Sequence, residues 1–213
     1  MYKLIALIVV AFMYCANFTE AQTIDISSAN NFEVINRHIA VDDSADKKIV
    51  RFNAAEGDGV AWLKTINFST GIIEFDVKGK DVMQQSFVGI AFHGINDSSF
   101  DAVYFRPFNF QSRDAARKSH SVQYICLPKY EWSYLRENFP GKYENVLTQT
   151  IEPSSWFHVK VVVEVDKISA YVNNDNTPSL VVKPLANYTT GKIGFWVGNG
   201  SDGDFSNLTI QQH

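Results

Sequence analysis

Cysteine, basic charge and long apolar runs are all scarce in this sequence. Lysine and arginine number 19 against 23 aspartates and glutamates, so the formal net charge is −4. A mildly acidic chain lacks the positive surface that binds phosphate backbones, which argues against nucleic acid as a partner. Beyond residue 21 no stretch is long and apolar enough for a transmembrane helix, so none is expected in the mature chain.

The N-terminus has the pattern of a secretory signal peptide. Lys3 precedes an apolar run over residues 4–13, and a polar stretch then ends in the small residue Ala21. The apolar run is too short to anchor the chain in a bilayer. We therefore predict a signal peptide over residues 1–21, a mature chain of residues 22–213 and a secreted or periplasmic location.

The mature chain would retain one cysteine. Cys15 lies inside the predicted signal peptide, and the bulky Tyr14 before it argues against lipid attachment at that cysteine. Cys126 alone forms no internal disulfide, so the fold must be stabilised by a hydrophobic core. A single domain of this size buries roughly 70% of its extended-chain surface, which is sufficient. Cys126 lies in an apolar strand with no base beside it in sequence, and we interpret it as a packing residue.

Residues 86–110 carry the clearest fold signal, a β-hairpin with alternating arms. Asn96 to Ser99 are turn-favouring residues and separate the two arms. The alternation predicts an apolar face with Val88, Ile90, Phe92, Val103 and Phe105, and a second face with Gly89, Ala91, His93, Tyr104 and Arg106. If Ile95 faces Phe100, then Ala91 lies opposite Tyr104 and Gly89 opposite Arg106. The second face then resembles the floor of a groove.

Strand patterns dominate the rest of the chain. Residues 128–141 are the exception, because Trp132, Leu135 and Phe139 recur at helical spacing, and this is the one helix predicted in the mature chain. Residues 111–120 are predicted to be a basic loop. In residues 156–174 a two-residue turn at Asp166 and Lys167 would pair Val163 with Ala170. Many short strands at regular spacing predict a single all-β domain over residues 22–213.

The order of these segments resembles the concanavalin A-like lectin and glucanase superfamily, with its laminin-G-like and keto-disaccharide-hydrolase-like bacterial branches. The segments that carry the resemblance are GIIEFDV, FVGIAFHG, WFHVKVVVEVDKISAYVNN, GKIGFWVGNG and DFSNLTI. The resemblance implies a jelly-roll sandwich of two curved antiparallel sheets, with a glycan bound on the concave sheet. Laminarinase-like members set Glu-x-Asp-x-x-Glu along one strand. Here Glu74 and Asp76 begin that pattern, but Gly79 stands in place of the second glutamate, so that chemistry is not carried over.

A sugar site requires aromatic platforms beside planar hydrogen-bonding groups, because sugars have flat apolar faces edged by hydroxyls. The central region supplies both. We predict an oligo- or polysaccharide as the ligand, and the candidate binding residues are His93, Tyr104, Arg106, Asn109, Gln123, Tyr130 and Trp132, with Tyr134 nearby. The alternative is that the polar residues decorate a solvated sheet face and that Trp132 only fixes the helix to the sandwich.

Two other functions remain open on the same scaffold. A glycoside hydrolase needs an acid and a base about 5 to 9 Å apart, and the carboxylates of this region are candidates. We name Asp101 and Glu144 as catalytic candidates with His93 assisting, while Glu131 and Glu137 also lie in this region. Ordinary surface charge explains the same residues. A laminin-G-like protein-interaction module would be favoured if the predicted helix filled the groove.

Metal and ionic ligands have weaker signals. Asp202 and Asp204, with Asn199, are calcium candidates, although their spacing does not match an EF-hand loop and a glycine turn explains them without metal. No other cofactor is expected. The basic group of Arg113, Arg117 and Lys118 is most simply a solvated loop, and the alternative is that it contacts an anionic sugar.

Overall fold

The computed structural model of the chain describes residues 20–42 and 47–213. The predicted signal peptide lies outside the described residues except for its last two positions. Fifteen strands are present in the described part: β1 Gln22–Thr23, β2 Phe32–Ile35, β3 Ile39–Asp42, β4 Ile49–Phe52, β5 Gly59–Phe68, β6 Gly71–Lys78, β7 Val88–Asn96, β8 Ser99–Phe105, β9 Val122–Cys126, β10 Glu144–Asn145, β11 Phe157–Val163, β12 Ile168–Val172, β13 Leu180–Val182, β14 Gly191–Val197 and β15 Gly203–Gln212.

The strands form two antiparallel sheets. The eight-stranded sheet has the order β13-β12-β11-β6-β15-β4-β3, with β1 added beside β15. The seven-stranded sheet has the order β10-β9-β8-β7-β14-β5-β2. Sequence neighbours are often separated in these sheets, and β14 lies between β5 and β7 although it follows them by many residues. The architecture is the jelly-roll sandwich that the sequence predicts.

The core lies between the sheets and is dominated by aromatic side chains. Phe75 of the eight-stranded sheet contacts Phe195 of the seven-stranded sheet, with ring centroids 6.1 Å apart. Phe105 and Phe157 make a second contact between the sheets, edge to face at 5.3 Å. All four rings are buried. Burial of such rings is the main apolar contribution to stability, and their alternation along each strand follows from the two-residue strand period.

Helices are short. The predicted helix is α2, Trp132–Asn138, and it buries Leu135 against the sandwich. The segment expected to be a basic loop contains a second helix, α1, Ala115–Lys118, whose first turn is capped by the Asp114 side chain accepting from the Ala116 N–H at 2.9 Å. A capping aspartate and helix-favouring residues explain this turn, which the loop prediction missed. Single 3₁₀ turns lie at Ala29–Asn31 and Pro107–Asn109.

The central hairpin forms as β7 and β8, but its register differs from the predicted one by two residues. Gly89 pairs with Tyr104 and Ala91 with Ala102. The cause is an irregularity between Phe92 and Asn96, where β7 contains more residues than the facing part of β8. A shift of two residues preserves side-chain direction, so the face that carries Gly89, Ala91 and Tyr104 is the predicted one.

The later hairpin, β11 and β12, shows the same kind of shift. Val163 pairs with Ile168, rather than with Ala170. The connection is a four-residue turn closed by the Glu164 N–H donating to the Lys167 carbonyl at 2.8 Å, and this replaces the predicted two-residue turn. Val165 lies in this turn and is 81% exposed.

No helix among the described residues has the length and apolar character needed to cross a membrane.

Candidate functional site

A cleft with a volume of about 530 Å³ lies on the outward face of the seven-stranded sheet. Its floor comes from β8, β9 and β14, and its walls come from the segments that follow β6 and β8 and from α2. The lining combines aromatic rings, charged groups and amides: Asp58, Met83, Gln84, Phe87, Tyr104, Arg106, Phe108, Asn109, Arg117, His120, Ile125, Leu127, Glu131, Trp132, Arg136, Trp196, Gly198 and Asn199.

The floor is a pair of aromatic rings that meet across a glycine. Gly89 pairs with Tyr104 on one side and with Trp196 on the other. A Cβ added at Gly89 would lie 2.2 Å from the Val103 carbonyl oxygen and 2.7 Å from the Tyr104 Cβ. The glycine therefore lets the two rings approach, with centroids 4.9 Å apart. Trp196 is buried, and its indole Nε1 has no hydrogen-bond partner among the described residues.

Arg106 lies beside this floor and is 4% exposed. It follows the last residue of β8, and its guanidinium lies 4.9 Å from the centre of the Tyr104 ring. Nη2 donates to the Tyr104 hydroxyl at 2.7 Å and to the Gln123 Oε1, while Nη1 donates to the His120 carbonyl at 3.0 Å. Asn109 donates to the same carbonyl at 3.3 Å. These bonds join the β8–β9 connection to the sheet and fix the direction of the guanidinium.

Glu144 lies behind the cleft wall, close to three basic side chains. Arg136 makes a two-point contact, with Nε to Oε1 at 3.0 Å and Nη2 to Oε2 at 2.7 Å. His120 Nδ1 lies 2.8 Å from Oε2, and Arg106 Nη1 lies 3.9 Å from it. The carboxylate is 5% exposed and does not line the cleft. Glu144 therefore fixes Arg136 in place, and its contacts leave it poorly placed to transfer a proton to a ligand.

Two acidic side chains also line the cleft. Asp58 lies just before β5, three strands away from β8, and Glu131 lies at the N-terminus of α2. Desolvation raises the pKa of Asp58, and the negative charge of Glu131 raises it further. The charge of Arg37 and a hydrogen bond with the Asn199 backbone oppose this rise. Both carboxylates line the cleft.

Helix α2 forms one wall without filling the cleft. Trp132 is 48% exposed and its ring is covered on one side by the Arg136 guanidinium, at 5.0 Å from the ring centre. Tyr134, on the same helix, instead packs edge to face on Tyr130 at 5.8 Å and lines no part of the cleft. An exposed indole at the rim of an open cleft is available to stack on a ligand.

His93 does not share the face of Tyr104 and Arg106, and that part of the prediction is wrong. The backbone at His93 adopts a positive φ of 54°, within the irregular part of β7, which redirects the side chain. Nδ1 lies 2.9 Å from Asp101 Oδ2, and Nε2 lies 2.6 Å from the Ser69 carbonyl oxygen. The imidazole stacks on Phe68 and lines no part of the cleft.

Asp101 belongs to the same buried group. It pairs with Phe92 in β7, its side chain is inaccessible to solvent, and it accepts from the Tyr124 hydroxyl at 2.6 Å. That hydroxyl in turn accepts from the Leu185 N–H at 2.9 Å. Burial and the nearby Asp101 charge raise the pKa of Tyr124 far above its usual range. A carboxylate in this position is out of reach of a ligand in the cleft, so its role as a catalytic candidate has no geometric support.

The remaining predicted binding residues divide into two groups. The structure brings Tyr104, Arg106, Asn109 and Trp132 together at the cleft. Gln123 lies beneath it, fully buried, and positions Tyr104 and Arg106 through its Oε1. Tyr130 is half-buried, packs on the core and bridges to Cys126, away from the cleft. Cys126 is buried, and burial raises the pKa of its thiol to about 12.

The calcium candidates are held by cations. Asp202 pairs with Lys80, and Asp204 pairs with Arg51 at 2.8 Å. Asn199 lies apart from both, because its Oδ1 accepts from the Gly57 N–H at 2.7 Å at the cleft wall. Among the described residues no group of three or more histidine, cysteine, aspartate or glutamate side chains converges as metal ligands do.

Several cleft residues escaped the prediction from sequence. Trp196 follows Phe195 in a short run between glycines, so alternation shows that the two rings face opposite ways without showing which face is the cleft. Asp58 lies in a turn that the sequence analysis treated only as a strand boundary. Arg136 and His120 are distant from each other in sequence, and only the folded chain brings both to Glu144.

The opposite sheet carries one further polar group, around Asp76 on β6. His158 Nδ1 lies 2.9 Å from Oδ1, and Lys47 and Asn207 donate to Oδ2 at 2.9 and 2.7 Å. Burial alone would raise the pKa of Asp76, but the hydrogen bonds from His158, Lys47 and Asn207 outweigh it and hold this pKa well below its usual range. The group lies on the sheet opposite the cleft, and we assign it a structural role.

Comparison with known proteins gives no match from sequence and many from structure. No family model and no curated protein matches the chain. The carbohydrate-binding module CBM66 from Bacillus subtilis superposes with a TM-score of 0.56 at 16% identity, over 92% of this chain and 98% of that chain. A putative glycosyl hydrolase from Parabacteroides distasonis gives 0.54 at 13%, over 86% and 89%. A Bacillus licheniformis β-glucanase gives 0.51 at 14%, over 91% and 92%.

These similarities span nearly the whole chain, and identities this low establish architecture rather than activity. The strand order, the two antiparallel sheets and the structural neighbours agree. The chain has the jelly-roll fold of the concanavalin A-like lectins and glucanases.

Proposed function

We propose that this chain is an exported glycan-binding protein that holds an oligo- or polysaccharide in the cleft on its seven-stranded sheet. The observation that carries the proposal is the composition of that cleft: aromatic rings at the floor and rim, with fixed planar hydrogen-bonding groups between them. Sugar rings present apolar faces to aromatic side chains and hydroxyls to amides and guanidinium groups.

Each part of the cleft has a corresponding task. Trp132 stacks on a sugar ring at the rim, because half of its surface is exposed. Asn109 and Arg106 supply directional donors that the surrounding bonds hold in place. The unpartnered Nε1 of Trp196 is a further donor, and a buried donor gains most when a ligand oxygen satisfies it. The structural neighbours that are carbohydrate-binding or glucan-hydrolysing proteins support the same class of ligand.

A glycan array followed by affinity electrophoresis with the hits tests this proposal. Trp132→Ala should weaken binding by about tenfold, since an aromatic stacking contact contributes roughly 1.4 kcal/mol. Tyr134→Ala is the matched control, because it removes an aromatic ring from the same helix outside the cleft. Equal losses in both variants, or no glycan retained by the native protein, would contradict the proposal.

Export is supported by the position of the predicted cleavage site. A chain that begins at Gln22 keeps β1, which pairs with Thr209 and Ile210 of β15. N-terminal sequencing of the protein recovered from the medium or periplasm should therefore start at Gln22. A protein that stays in the cytosol with residues 1–21 intact would refute the export part of the proposal.

Glycoside hydrolysis is the second candidate, favoured by the two carboxylates that line the cleft. Asp58, whose pKa desolvation raises, suits the acid, and Glu131 suits the base. Hydrolysis of array hits should then be lost in both Asp58→Asn and Glu131→Gln while binding persists. If glycans that the protein binds release no reducing sugar, the protein binds glycans without hydrolysing them.

A further inference from the structure

The cleft has an excess of positive charge at one end. Arg106 and Arg136 both approach the single carboxylate of Glu144, at 3.9 and 2.7 Å. Arg136 contacts both oxygens of this carboxylate. Arg106 therefore has no carboxylate of its own. A buried guanidinium without a matched counter-ion is costly, so an anion that enters the cleft at this point gains binding energy from it.

The surrounding groups reflect this excess. Burial lowers the pKa of Arg106, and the positive charge of Arg136 lowers it further, against opposing effects of Tyr104 and Glu144. Burial likewise lowers the pKa of His120; both arginines add to that effect, while Glu144 opposes it. Arg106, Arg136 and His120 thus share the one carboxylate of Glu144.

Arg106 also has unused donors. A guanidinium has five N–H groups, and the hydrogen bonds of Arg106 within the described residues use three of them, leaving Nε and one hydrogen of Nη1. A carboxylate or sulfate oxygen is the acceptor that a guanidinium binds most strongly. The buried end of the cleft thus offers both charge and direction to an anionic group.

A third cation lies at the mouth of this end. Arg117 of α1 lines the cleft, and its nearest acid is Asp114 at 3.7 Å, with both side chains more than half exposed. Such an exposed pair is weak and does not neutralise the arginine. The acidic residues of the cleft, Asp58 and Glu131, act on each other electrostatically, and Arg37 is the cation that acts on Asp58.

We propose that the glycan bound in this cleft is acidic, with a carboxylate or sulfate group of one sugar held between Arg106 and Arg117. The inference rests on the proposed glycan-binding function and specifies its ligand class. A neutral glycan would leave the charge of Arg106 without a matched counter-ion. The acidic sugar lies at the β8–β9 end of the cleft, and its neighbours along the chain extend over Trp196 toward Asp58.

The experiment is a glycan array that contains neutral, uronic-acid and sulfated oligosaccharides on shared backbones. We expect the retained glycans to be acidic. Carboxyl reduction or desulfation of each hit should then weaken its binding by at least about tenfold, the usual value of one charge-assisted contact. If carboxyl reduction weakens binding, the anionic group is a carboxylate. If desulfation weakens it, the group is a sulfate. Binding should also fall between low and high sodium chloride.

Variants of one basic segment supply a matched control. Arg117→Gln should weaken binding of acidic hits by about threefold, as expected for an exposed charge. Arg113→Gln removes an equal charge from the same segment outside the cleft and should leave binding unchanged. Arg106→Lys keeps the charge, loses the fork geometry and should weaken binding by about tenfold. Thermal unfolding of each variant separates binding losses from folding losses.

The outcomes separate the two proposals. Retention of neutral glycans with affinity unchanged by carboxyl reduction or desulfation would overturn the acidic-ligand inference and leave the glycan-binding function standing. Equal effects of Arg117→Gln and Arg113→Gln would overturn the placement of the anion. Retention of no glycan at all would overturn the proposed function, and the inference with it.

Discussion

The substitution Asp101→Asn tests whether this carboxylate supports the fold or acts on a ligand. The carboxylate is inaccessible to solvent and accepts at 2.6 Å from the Tyr124 hydroxyl, while His93 Nδ1 lies 2.9 Å from its other oxygen. Asparagine conserves the shape but removes the charge and replaces one acceptor with an NH₂ group. The two hydrogen bonds to the carboxylate therefore lose their charge assistance.

The expected cost follows from these contacts. A hydrogen bond to a buried charged group contributes about 1.5 to 3 kcal/mol, against about 0.5 to 1.5 kcal/mol for a neutral one. With two such bonds weakened, we expect a loss of about 2 to 3 kcal/mol in the free energy of unfolding. Domains are stable by only about 5 to 15 kcal/mol, so the variant should be folded but clearly weakened.

Urea unfolding followed by tryptophan fluorescence measures this loss. With a slope of about 2 kcal/mol per molar urea, the midpoint should fall by roughly 1 to 1.5 M. Glycan binding, measured at low temperature where the variant is folded, should be unchanged. Tyr124→Phe should also destabilise, and the double variant should lose less than the sum of the two single losses, because they share one contact. A stable Asp101→Asn variant that loses binding or hydrolysis would refute the structural role.

Two further perturbations test the floor of the cleft and the opposite sheet. Gly89→Ala should cost about 1 to 3 kcal/mol in unfolding free energy and weaken glycan binding, because the added Cβ forces Tyr104 away from Trp196; a urea midpoint within error of the native value would contradict this packing. Asp76 has a lowered pKa, so its contribution to stability is fully present above its unfolded-state pKa near 3.8 and is lost as pH falls toward the folded value. Asp76→Asn should therefore be less stable than the native protein by about 2 kcal/mol at pH 7, with the difference shrinking below about pH 4; a difference independent of pH would exclude the ion-paired role.

Side-chain direction could be predicted from the sequence because it depends on local alternation. Val88, Ile90 and Phe92 are buried toward the core, and Tyr104 lies on the face opposite to them, as their spacing indicates. Both hairpin registers were wrong by two residues, since the number of residues in a turn or bulge is not visible in alternation. His93 was wrong because a single positive φ reverses side-chain direction without changing the sequence pattern.

The sequence alone determined the alternating strands, the sandwich architecture and the composition of the central region, because a two-residue period and turn-favouring residues act over short distances. Only the tertiary structure decided which residues share the cleft. Trp196 meets Tyr104 because β14 inserts beside β7, and Arg136 meets Arg106 because both contact Glu144 of an edge strand. Such contacts join distant parts of the chain, and they depend on strand order and sheet pairing, which no local pattern specifies.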